Sequence, residues 1–304
     1  MNILLTGAAG QLGTELIPLL TARGNLVVTD RNPPIQKVQH WKALDLSNGA
    51  GVEKMLNETQ PGLIVNTAAY TAVDQAEDDV DTSFDVNAEF PGRLAHWAKK
   101  NDAILIHYST DYVFNGRASV PYLETDATDP QSVYGQSKLA GEQAISRQAC
   151  RHTILRTSWV YSSHGKNFVL SMLNLALKGK ALSVVNDQKG CPTWAGSLAR
   201  ASDAVIEHWK NANDSGVFHY CDDRALTWFE FANEIFDRAL RAGLIKMKPD
   251  MQAVTSSEFP QPAARPHWSV LDTAKIHDVY NIKAASFVDS LQTVVDEVKT
   301  RGTI

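Results

Sequence analysis

The sequence predicts an α/β protein built on a doubly wound, Rossmann-like parallel sheet, with a smaller α/β C-terminal lobe. Short apolar runs alternate with amphipathic stretches, the runs are apolar on both faces, and a glycine-rich segment follows the first run. Such runs are typical of parallel strands covered by helices on both sides. The predicted strands are Ile3–Thr6, Leu26–Asp30, Leu63–Asn66, Ile104–Ser109 and Thr153–Arg156, and the predicted helices are Leu12–Arg23, Gly51–Glu58, Asp81–Lys100 and Tyr134–Arg147.

The alternation weakens beyond about residue 160. Residues 247–266, rich in Pro, Ser and Gln, are expected to form a long irregular loop. We therefore expect a dinucleotide-binding domain over residues 1–160, to which strands within about 181–222 return, and a substrate-binding lobe over residues 161–304. The apolar spacing in this lobe predicts helices at Asn167–Leu177, Trp228–Ala242 and Ser286–Lys299, and short strands at Ala181–Val185 and Val217–Tyr220.

The composition is that of an ordinary globular protein. The chain has 304 residues, of which 44% are hydrophobic and 21% charged, and its net charge is −5. Because nucleic acids and anionic membranes usually demand a basic face, neither is expected as a partner. The chain starts with a strand rather than a signal peptide and has no run of bilayer-spanning length, so we expect a cytoplasmic location. Cys150, Cys191 and Cys221 fit no metal or redox spacing and are expected to be buried free thiols.

The glycine-rich segment lies between the first predicted strand and the first predicted helix, with the spacing G-x-x-G-x-x-G. Gly7 would allow a tight turn, Gly10 would let the backbone approach a pyrophosphate, and Gly13 would let the helix lie close to the sheet. The N–H groups at the start of the helix, at Gln11 and Leu12, would face the phosphates. Because this spacing departs from the commoner dinucleotide fingerprint, it indicates a cofactor site only together with its strand, its helix and an acidic residue downstream.

Residues at the ends of the next strands are further candidates for cofactor binding. Asp30 ends the second strand, where a carboxylate usually accepts hydrogen bonds from the adenosine ribose, and this favours NADH. Arg31 would meet the 2′-phosphate of NADPH or be a solvated surface charge, so the choice between NADH and NADPH stays open. The other candidates follow later strands at the same edge of the sheet, with loop capping or packing as the alternative: Asp45, Leu46, Ala68, Ala69 and Tyr70.

Tyr134 and Lys138 are the candidate catalytic pair, because their spacing puts a phenol and an ammonium on one helix face. The pKa of tyrosine is roughly 10, and we expect the ammonium to lower it, making Tyr134 a proton donor to a carbonyl that receives a hydride. Lys138 would also bond the nicotinamide ribose. An exposed helical pair is the alternative, and Thr110 favours catalysis because it ends a strand where it would hydrogen-bond the substrate carbonyl.

Several segments of the chain together point to one family. These are STDYVF at 109–114, YGQSKLAGE at 134–142, RTSWVY at 156–161, NDQ at 186–188, PT at 192–193 and RP at 265–266. With them, the chain resembles the dTDP-4-dehydrorhamnose reductases of the extended short-chain dehydrogenase/reductase superfamily over nearly its whole length. The resemblance implies NAD(P)H-dependent reduction of a dTDP-4-keto-6-deoxy sugar, dTDP-4-dehydro-β-L-rhamnose, to dTDP-L-rhamnose. That reaction is the last step in making this nucleotide sugar for surface polysaccharide such as the O antigen of lipopolysaccharide.

The resemblance also implies roles for individual residues. The phenol, the ammonium and the threonine hydroxyl named above would be the catalytic group, and Asn87 would order its helix or a proton-relay water. Trp159 would pack against the sugar or the nicotinamide, with a place in the core as the alternative. Arg265 would hold the substrate pyrophosphate, with a surface ion pair as the alternative. Asn167 is a further candidate for substrate contact.

The resemblance leaves a metal site doubtful. Some members of this family place three glutamates around a magnesium ion at a dimer contact. Glu15 and Glu297 match two of these positions, whereas the middle one is Gly196 here. Because the loss of one carboxylate weakens a site for a hard cation, we do not expect bound Mg²⁺. Glu15 and Glu297 are expected to be solvated surface charges, and a homodimer, where one forms, to lack a shared metal.

Three alternatives stay open at this point. The substrate could be a related dTDP-4-keto-6-deoxy sugar, for example one whose reduction gives 6-deoxytalose. A dehydratase or epimerase on the same scaffold is disfavoured, because Asp111 is followed by Tyr112 and not by the glutamate typical of dehydratases. A non-catalytic regulatory or binding subunit on the same fold is disfavoured, because the candidate catalytic residues are all retained.

Overall fold

The protein is described as a computed structural model, covering residues 1–209 and 215–302. Its strands are β1 (Asn2–Thr6), β2 (Asn25–Asp30), β3 (His40–Ala43), β4 (Leu63–Asn66), β5 (Ile104–Thr110), β6 (Arg151–Thr157), β7 (Val160–Tyr161), β8 (Leu182–Val185), β9 (Lys189–Gly190), β10 (Thr193–Trp194), β11 (Gly216–His219), β12 (Leu226–Thr227) and β13 (Met251–Val254). Its α-helices are α1 (Gln11–Thr21), α2 (Gly49–Thr59), α3 (Val80–Phe84), α4 (Phe90–Lys100), α5 (Val133–Gln148), α6 (Phe168–Leu177), α7 (Ala195–His208), α8 (Trp228–Ala242), α9 (Ala274–Tyr280) and α10 (Phe287–Arg301). A π-helical turn, Asp85–Glu89, joins α3 to α4, and single 3-10 turns lie at Gln75–Glu77 and Asp111–Val113.

Within the described residues, seven parallel strands form one sheet in the order β11-β6-β5-β4-β1-β2-β3. The order reverses between β1 and β4, because the chain first extends the sheet through β2 and β3 and then through β4 to β6. At such a switch point the loops at the carboxyl ends of the strands diverge and leave a crevice for ligands. The register places Thr6 beside Asn66, and Asn66 beside His107, near this edge. The predicted doubly wound, Rossmann-like sheet is confirmed.

Two four-residue strands, β3 and β13, were not predicted, and neither were the two-residue strands β7, β9, β10 and β12. The residues of β3 are all exposed at the edge of the sheet, so this strand lacks the apolar run by which a buried strand is found. The predicted irregular loop over residues 247–266 is wrong where Met251–Val254 forms β13, which pairs in parallel with β8. Its sequence, MQAV, carries no strong strand signal, and the strand forms because β8 offers a free edge for backbone hydrogen bonds.

Apolar side chains are buried on both faces of the sheet. One face is covered by α1, α7 and α9, and the other by α2, α4 and α5. A third cluster, which contains Tyr161, Phe231 and Phe287, joins α6, α8 and α10 within the predicted substrate lobe, whose bounds stay a prediction. The three cysteines are buried free thiols, as predicted. In the described ranges, no helix has both the length and the apolar character needed to cross a lipid bilayer.

Helix α5 crosses its neighbours at very short range. A Cβ atom on Gly141 would lie 2.1 Å from the carbonyl oxygen of Asn87, and one on Gly135 would lie 2.3 Å from the carbonyl oxygen of Tyr112. Asn87 belongs to the π-helical turn, so the segment predicted as one helix, Asp81–Lys100, is helical throughout but widened at this point. The two glycines therefore set how closely α5 approaches the segments that surround the candidate site.

Gly141→Ala is expected to destabilise the protein, although alanine is favoured over glycine in a helix interior by about 1 kcal/mol. The added methyl group would push α5 away from the Asn87 carbonyl, and overpacking a tight contact costs about 1–3 kcal/mol. Urea unfolding measures the difference. The control is Gln143→Ala, an exposed position on the same helix, which should change the free energy of unfolding by less than about 0.5 kcal/mol. A Gly141→Ala protein at least as stable as the starting protein would contradict this packing argument.

Candidate active site

The glycine-rich turn leads from β1 into α1. Gly7 has a φ of +72°, and a Cβ there would lie 2.6 Å from the backbone nitrogen of Ala68, so only glycine fits. A Cβ on Gly13 would lie 2.3 Å from the carbonyl oxygen of Gly7, so the helix starts directly against the turn. Gly10 is the N-cap of α1, and no side chain caps the helix there or adds an acidic group to its first turn. This end of α1 therefore fits a pyrophosphate, whose oxygens would accept from its backbone N–H groups.

The acidic candidates for ribose and adenine contact lie at the carboxyl ends of β2 and β3. Asp30 accepts hydrogen bonds from the backbone N–H groups of Ala9 (3.0 Å) and Asn32 (3.2 Å), so it ties the end of β2 to the glycine-rich turn. Arg31 beside it is exposed. Asp45 is exposed and accepts from Ser47, which lowers the pKa of its carboxyl. The structure thus brings Asp30 to the turn and leaves the side chains of Arg31 and Asp45 in solvent.

Asn87 connects the loop after β4 to α5. Its Oδ1 accepts from the backbone N–H of Tyr70 (2.9 Å), and its Nδ2 donates to the carbonyl oxygen of Tyr70 (3.0 Å) and to Oγ of Ser137 (3.0 Å). Ala68 is buried and Ala69 half-buried in the same loop, next to the glycine-rich turn. The amide of Asn87 is therefore engaged at both ends by protein groups, and it orders this loop against the residue that precedes Lys138.

Thr110, Tyr134 and Lys138 come together at the carboxyl end of β5. Thr110 ends the strand, and its hydroxyl hydrogen-bonds to Asp111 (3.0 Å) and to the phenol of Tyr134. Tyr134 lies in the first turn of α5, which Ser132 caps. Lys138 is buried one turn further, where Nζ donates to the carbonyl oxygen of Tyr108 (2.6 Å). Burial lowers the pKa of Lys138 to about 8, and the negative charge of Glu142 opposes that shift.

The expectation that Lys138 lowers the pKa of Tyr134 is wrong for this structure. Burial raises the pKa of Tyr134 to about 12, with the Asp111 carboxylate adding to the rise and the Thr110 hydrogen bond opposing it. The amine of Lys138 is turned to the backbone of β5 instead. Tyr134 is therefore a neutral phenol at physiological pH, which is the state that a proton donor needs.

The candidate substrate residues lie in three different settings. Trp159 is half-buried with a φ of +48°, an uncommon conformation for a bulky residue, and its ring stacks on Trp228 at a centroid distance of 3.5 Å. Arg265 forms a bidentate ion pair with Asp74, both bonds being 2.8 Å long. Asn167 caps α6 and donates to the side chain of Gln11, so its polar atoms are already bonded within the protein.

Gln11 is thus joined to the second half of the chain, and Leu12 and Leu46 are half-buried beside the sheet's apolar core. Neither leucine has a polar side chain, so Leu12 would contact a cofactor through its backbone and Leu46 through apolar packing. Tyr70 donates its phenol hydrogen bond to Asp79 (3.1 Å) and presents its backbone to Asn87. The cofactor candidates therefore lie around one edge of the sheet, and their contact with a cofactor stays a prediction.

The expectation that Glu15 and Glu297 are solvated surface charges is wrong, because both side chains are half-buried. Burial of Glu15, and next the negative charge of Glu297, raise the pKa of the Glu15 carboxyl. Glu297 accepts a hydrogen bond from Ser163 (2.5 Å), and Glu15 lies 3.8 Å from Nε2 of His164. At Gly196, the ring of Trp194 occupies the space where a side chain would project. Among residues 1–209 and 215–302, no cluster of three or more His, Cys, Asp or Glu side chains could hold a metal ion.

Several residues near this site were missed from the sequence. Asp111 is buried beside Thr110, and burial raises the pKa of its carboxyl to about 6. Glu142 and Arg156 form a buried bidentate ion pair, with bonds of 2.9 and 2.7 Å, one helical turn beyond Lys138. His107 is fully buried with its ring 3.5 Å from the Lys138 amine. The signal for these four residues is a charged or titratable side chain inside or directly after an apolar strand, or on the inner face of a helix, where burial is rare without a partner.

These features define a class, the dinucleotide-dependent oxidoreductases of the extended short-chain dehydrogenase/reductase type. The family described as "RmlD substrate binding domain" matches residues 1–300. The dTDP-4-dehydrorhamnose reductase of Escherichia coli (strain K12) is 39% identical over 305 residues, which cover 100% of both chains. The chain belongs to the dTDP-4-dehydrorhamnose reductase family.

Two further relatives bear on substrate and cofactor. A protein of Streptomyces antibioticus named as a probable dTDP-4,6-dihydroxy-2-methyloxan-3-one 4-ketoreductase is 39% identical over 272 residues, covering 89% of this chain and 86% of that protein. The crystal structure of the dTDP-4-dehydrorhamnose reductase of Bacillus anthracis in complex with NADP has a TM-score of 0.87 and 32% identity, covering 97% of this chain and 98% of that chain.

Arg156→Met is expected to destabilise the protein by about 3–5 kcal/mol, because it leaves the Glu142 carboxylate buried without its partner. Replacing both residues, as Arg156→Met with Glu142→Leu, should cost less than Arg156→Met alone, since the buried carboxylate is removed together with its guanidinium and Lys138, whose pKa is about 8, can release its proton. Guanidinium unfolding of the three proteins checks the order. A double variant less stable than Arg156→Met would show that the ion pair is not what holds β6 and α5 together.

Proposed function

We propose that this protein reduces the C4 ketone of dTDP-4-dehydro-β-L-rhamnose to dTDP-L-rhamnose with NADPH or NADH. The observation that carries the proposal is the convergence of Thr110, Tyr134 and Lys138 at the carboxyl end of β5, across the sheet's switch point from the uncapped start of α1. The family assignment and the reductases among its relatives support the same reaction.

The bound nicotinamide would supply a hydride to the ketone carbon. Tyr134, kept protonated by its raised pKa, would donate its phenolic proton to the ketone oxygen. Thr110, which bonds to that phenol, would hold the same oxygen from the end of β5. Lys138 would bond the nicotinamide ribose and, as an ammonium, stabilise the phenolate left after proton transfer. Asn87 would act indirectly, by fixing the loop after β4 against α5.

The residues present fit a dinucleotide. The first turn of α1, at Gln11, Leu12 and Gly13, would bind the pyrophosphate through backbone N–H groups, and Asp30 would bind the adenosine ribose. The adenine and nicotinamide ends of the cofactor would be lined by Asp45, Leu46, Ala68, Ala69 and Tyr70. Arg31 would meet a 2′-phosphate because its side chain is exposed beside Asp30, and the relative from Bacillus anthracis is a complex with NADP. We therefore infer NADPH as the first choice and NADH as the second.

On the substrate side, Trp159 would pack against the sugar or the nicotinamide with the face that Trp228 leaves free. Arg265 would exchange Asp74 for the substrate pyrophosphate, because a planar guanidinium binds either oxyanion in a bidentate way. Asn167 would serve the substrate only indirectly, by holding Gln11 and the start of α6. We further infer a cytoplasmic location, because free thiols are typical of a reducing compartment. A homodimer without a shared metal stays a proposal.

A second candidate substrate is a related dTDP-4-keto sugar, as the name of the Streptomyces antibioticus relative indicates for that protein. Products such as 6-deoxytalose differ from rhamnose in which face of the ketone receives the hydride. The test is to incubate the purified protein with dTDP-4-dehydrorhamnose and each cofactor, follow the absorbance of the reduced nicotinamide, and identify the product by NMR. Stoichiometric cofactor consumption with dTDP-L-rhamnose as product is expected. Turnover without net consumption would indicate an epimerase or dehydratase instead, and no turnover would favour a binding subunit.

Tyr134→Phe is expected to lower kcat by about 10²–10⁴, the usual contribution of a positioned proton donor, with a small change in the KM for the keto sugar. Spectrophotometric turnover with saturating NADPH measures this. A suitable control is Tyr122→Phe, a buried tyrosine whose ring stacks on Phe114 and whose phenol bonds only to Asn115, Arg117 and Ala118 among the hydrogen bonds described, which should keep most of the turnover. A Tyr134→Phe protein as fast as the starting protein would remove this phenol from the mechanism.

Arg31→Ala is expected to raise the KM for NADPH about tenfold and to leave the KM for NADH within about twofold, because the guanidinium would contact only the 2′-phosphate. Steady-state kinetics with both cofactors gives the ratio. Arg117→Ala, which removes another exposed arginine, is the control and should change neither value. Equal effects of Arg31→Ala on both cofactors would place the 2′-phosphate elsewhere.

A further inference from the structure

A row of polar side chains runs through the sheet below the catalytic lysine, and the proposed reaction uses none of its other members. The hydroxyl of Thr6 donates to Oδ1 of Asn66 (2.6 Å), and Nδ2 of Asn66 lies 3.0 Å from Nδ1 of His107. Nε2 of His107 lies 3.5 Å from Nζ of Lys138. All four side chains are buried. The row therefore connects the strand that enters the glycine-rich turn to the amine at the candidate catalytic centre.

The register of the sheet assembles this row. Neighbouring strands β1, β4 and β5 pair Thr6 with Asn66 and Asn66 with His107, and Lys138 reaches the row from α5. Apolar side chains would fill these central positions without any desolvation of polar groups. A buried polar row is stable only when each member is hydrogen-bonded, so its presence points to a task besides packing.

The geometry at Lys138 suggests that task. An ammonium has three donors and no acceptor, and its flexible stem does not fix their directions. One donor of Lys138 is held by the carbonyl oxygen of Tyr108 at 2.6 Å, and the ring of His107 is the next polar group on the same side. With two donors directed toward β5, one remains for the side of α5 where Tyr134 and the cofactor would lie.

We propose that His107 is a positioning residue that orients the amine of Lys138, and that the Thr6–Asn66 pair adjusts the tautomer of His107 to the charge on Lys138. The hydroxyl of Thr6 can donate or accept, and the amide of Asn66 donates through its nitrogen and accepts through its oxygen. The direction of the hydrogen bonds along the row can therefore reverse. When Lys138 is an ammonium, Nε2 of His107 must accept its hydrogen bond. The ring proton is then on Nδ1 and is donated to the amide oxygen of Asn66, which turns toward His107. Opposite a neutral amine, Nε2–H donates and Nδ1 accepts from Nδ2 of Asn66.

The charges around the row agree with this arrangement. Burial, and then the positive charges of Lys138 and His152, hold the pKa of His107 well below its usual range, so the ring is neutral in both states. Burial brings the pKa of Lys138 to about 8, so its charge changes within reach of physiological pH. Glu142 is the acidic group that favours the ammonium, and Arg156 is paired with it. A change of tautomer at His107 should therefore follow the titration of Lys138 and not that of His107.

NMR of the full-length protein, labelled with ¹⁵N in its histidine rings, tests this without substrate. We expect one neutral ring, absent from the spectrum of His107→Gln, to change from the Nδ1–H to the Nε2–H tautomer as the pH rises through about 8. In Lys138→Met the tautomer of the same ring should not depend on pH. A tautomer in the starting protein that is the same at both ends of this titration, or one that still changes in Lys138→Met, would overturn the proposal.

A kinetic test rests on the proposed function and separates positioning from packing. In His107→Asn the new amide would lie near the position of Nδ1, so the contact with Asn66 is kept and the contact with Lys138 is lost. In His107→Gln the amide would lie near the position of Nε2, within hydrogen-bonding reach of Lys138. We expect His107→Asn to lower kcat about tenfold to a hundredfold with little change in the KM for the keto sugar. Because Lys138 loses an acceptor that stabilises its charged form, the alkaline decline of kcat should move to lower pH.

His107→Gln should recover most of the turnover and the starting pH profile. Equal losses in both variants, matched by equal falls in the unfolding temperature, would show that His107 serves packing alone and would overturn the proposal. If the starting protein does not reduce the keto sugar, the proposed function fails, while the NMR titration still decides the role of His107.

Discussion

The burial of one ammonium group, that of Lys138, is the constraint on which the site depends. Taking an ammonium out of water costs several kcal/mol unless hydrogen bonds and an opposite charge replace the lost hydration. The carbonyl of Tyr108 at 2.6 Å and the carboxylate of Glu142 provide them, so Lys138 is held close to its titration point and not discharged outright. This requires α5 to lie close to β5, which in turn requires glycine at the two positions where α5 touches neighbouring backbone.

Once α5 is set against β5, the other parts of the site follow from contacts made by its first three turns. Ser137 binds the Asn87 amide, and Asn87 binds the backbone of Tyr70, so the loop after β4 is placed by the same helix that carries Tyr134. That loop closes over the glycine-rich turn, where Gly7 touches Ala68. The loop after β4, the glycine-rich turn and the candidate catalytic residues are therefore coupled through α5, and a shift of this helix would move all of them.

The electrostatics at the end of β5 keep the phenol neutral until a reaction removes its proton. Burial raises the pKa of Tyr134 and of Asp111, and the hydroxyl of Thr110 lies between them with hydrogen bonds to both. A neutral donor beside a substrate oxygen, with an ammonium within the next turn of the helix, is what ketone reduction needs when hydride arrives from a bound cofactor. The proposed role of His107 adds a way to hold that ammonium while its charge changes.

The sequence by itself determined the doubly wound sheet, the glycine-rich turn between β1 and α1, and the placement of Tyr134 and Lys138 one helical turn apart, because each follows from a pattern within single segments of the chain. Five of the sheet strands carry continuous apolar runs, and the spacing of Tyr134 and Lys138 is set by one helix. The edge strand β3 and the strand β13 lack such a pattern, since they depend on a neighbour's free edge. Only the tertiary structure decided where buried polar groups point. It turned Lys138 toward Tyr108, brought Glu15 near Glu297 and aligned Thr6, Asn66 and His107, because those contacts join strands and helices far apart in sequence.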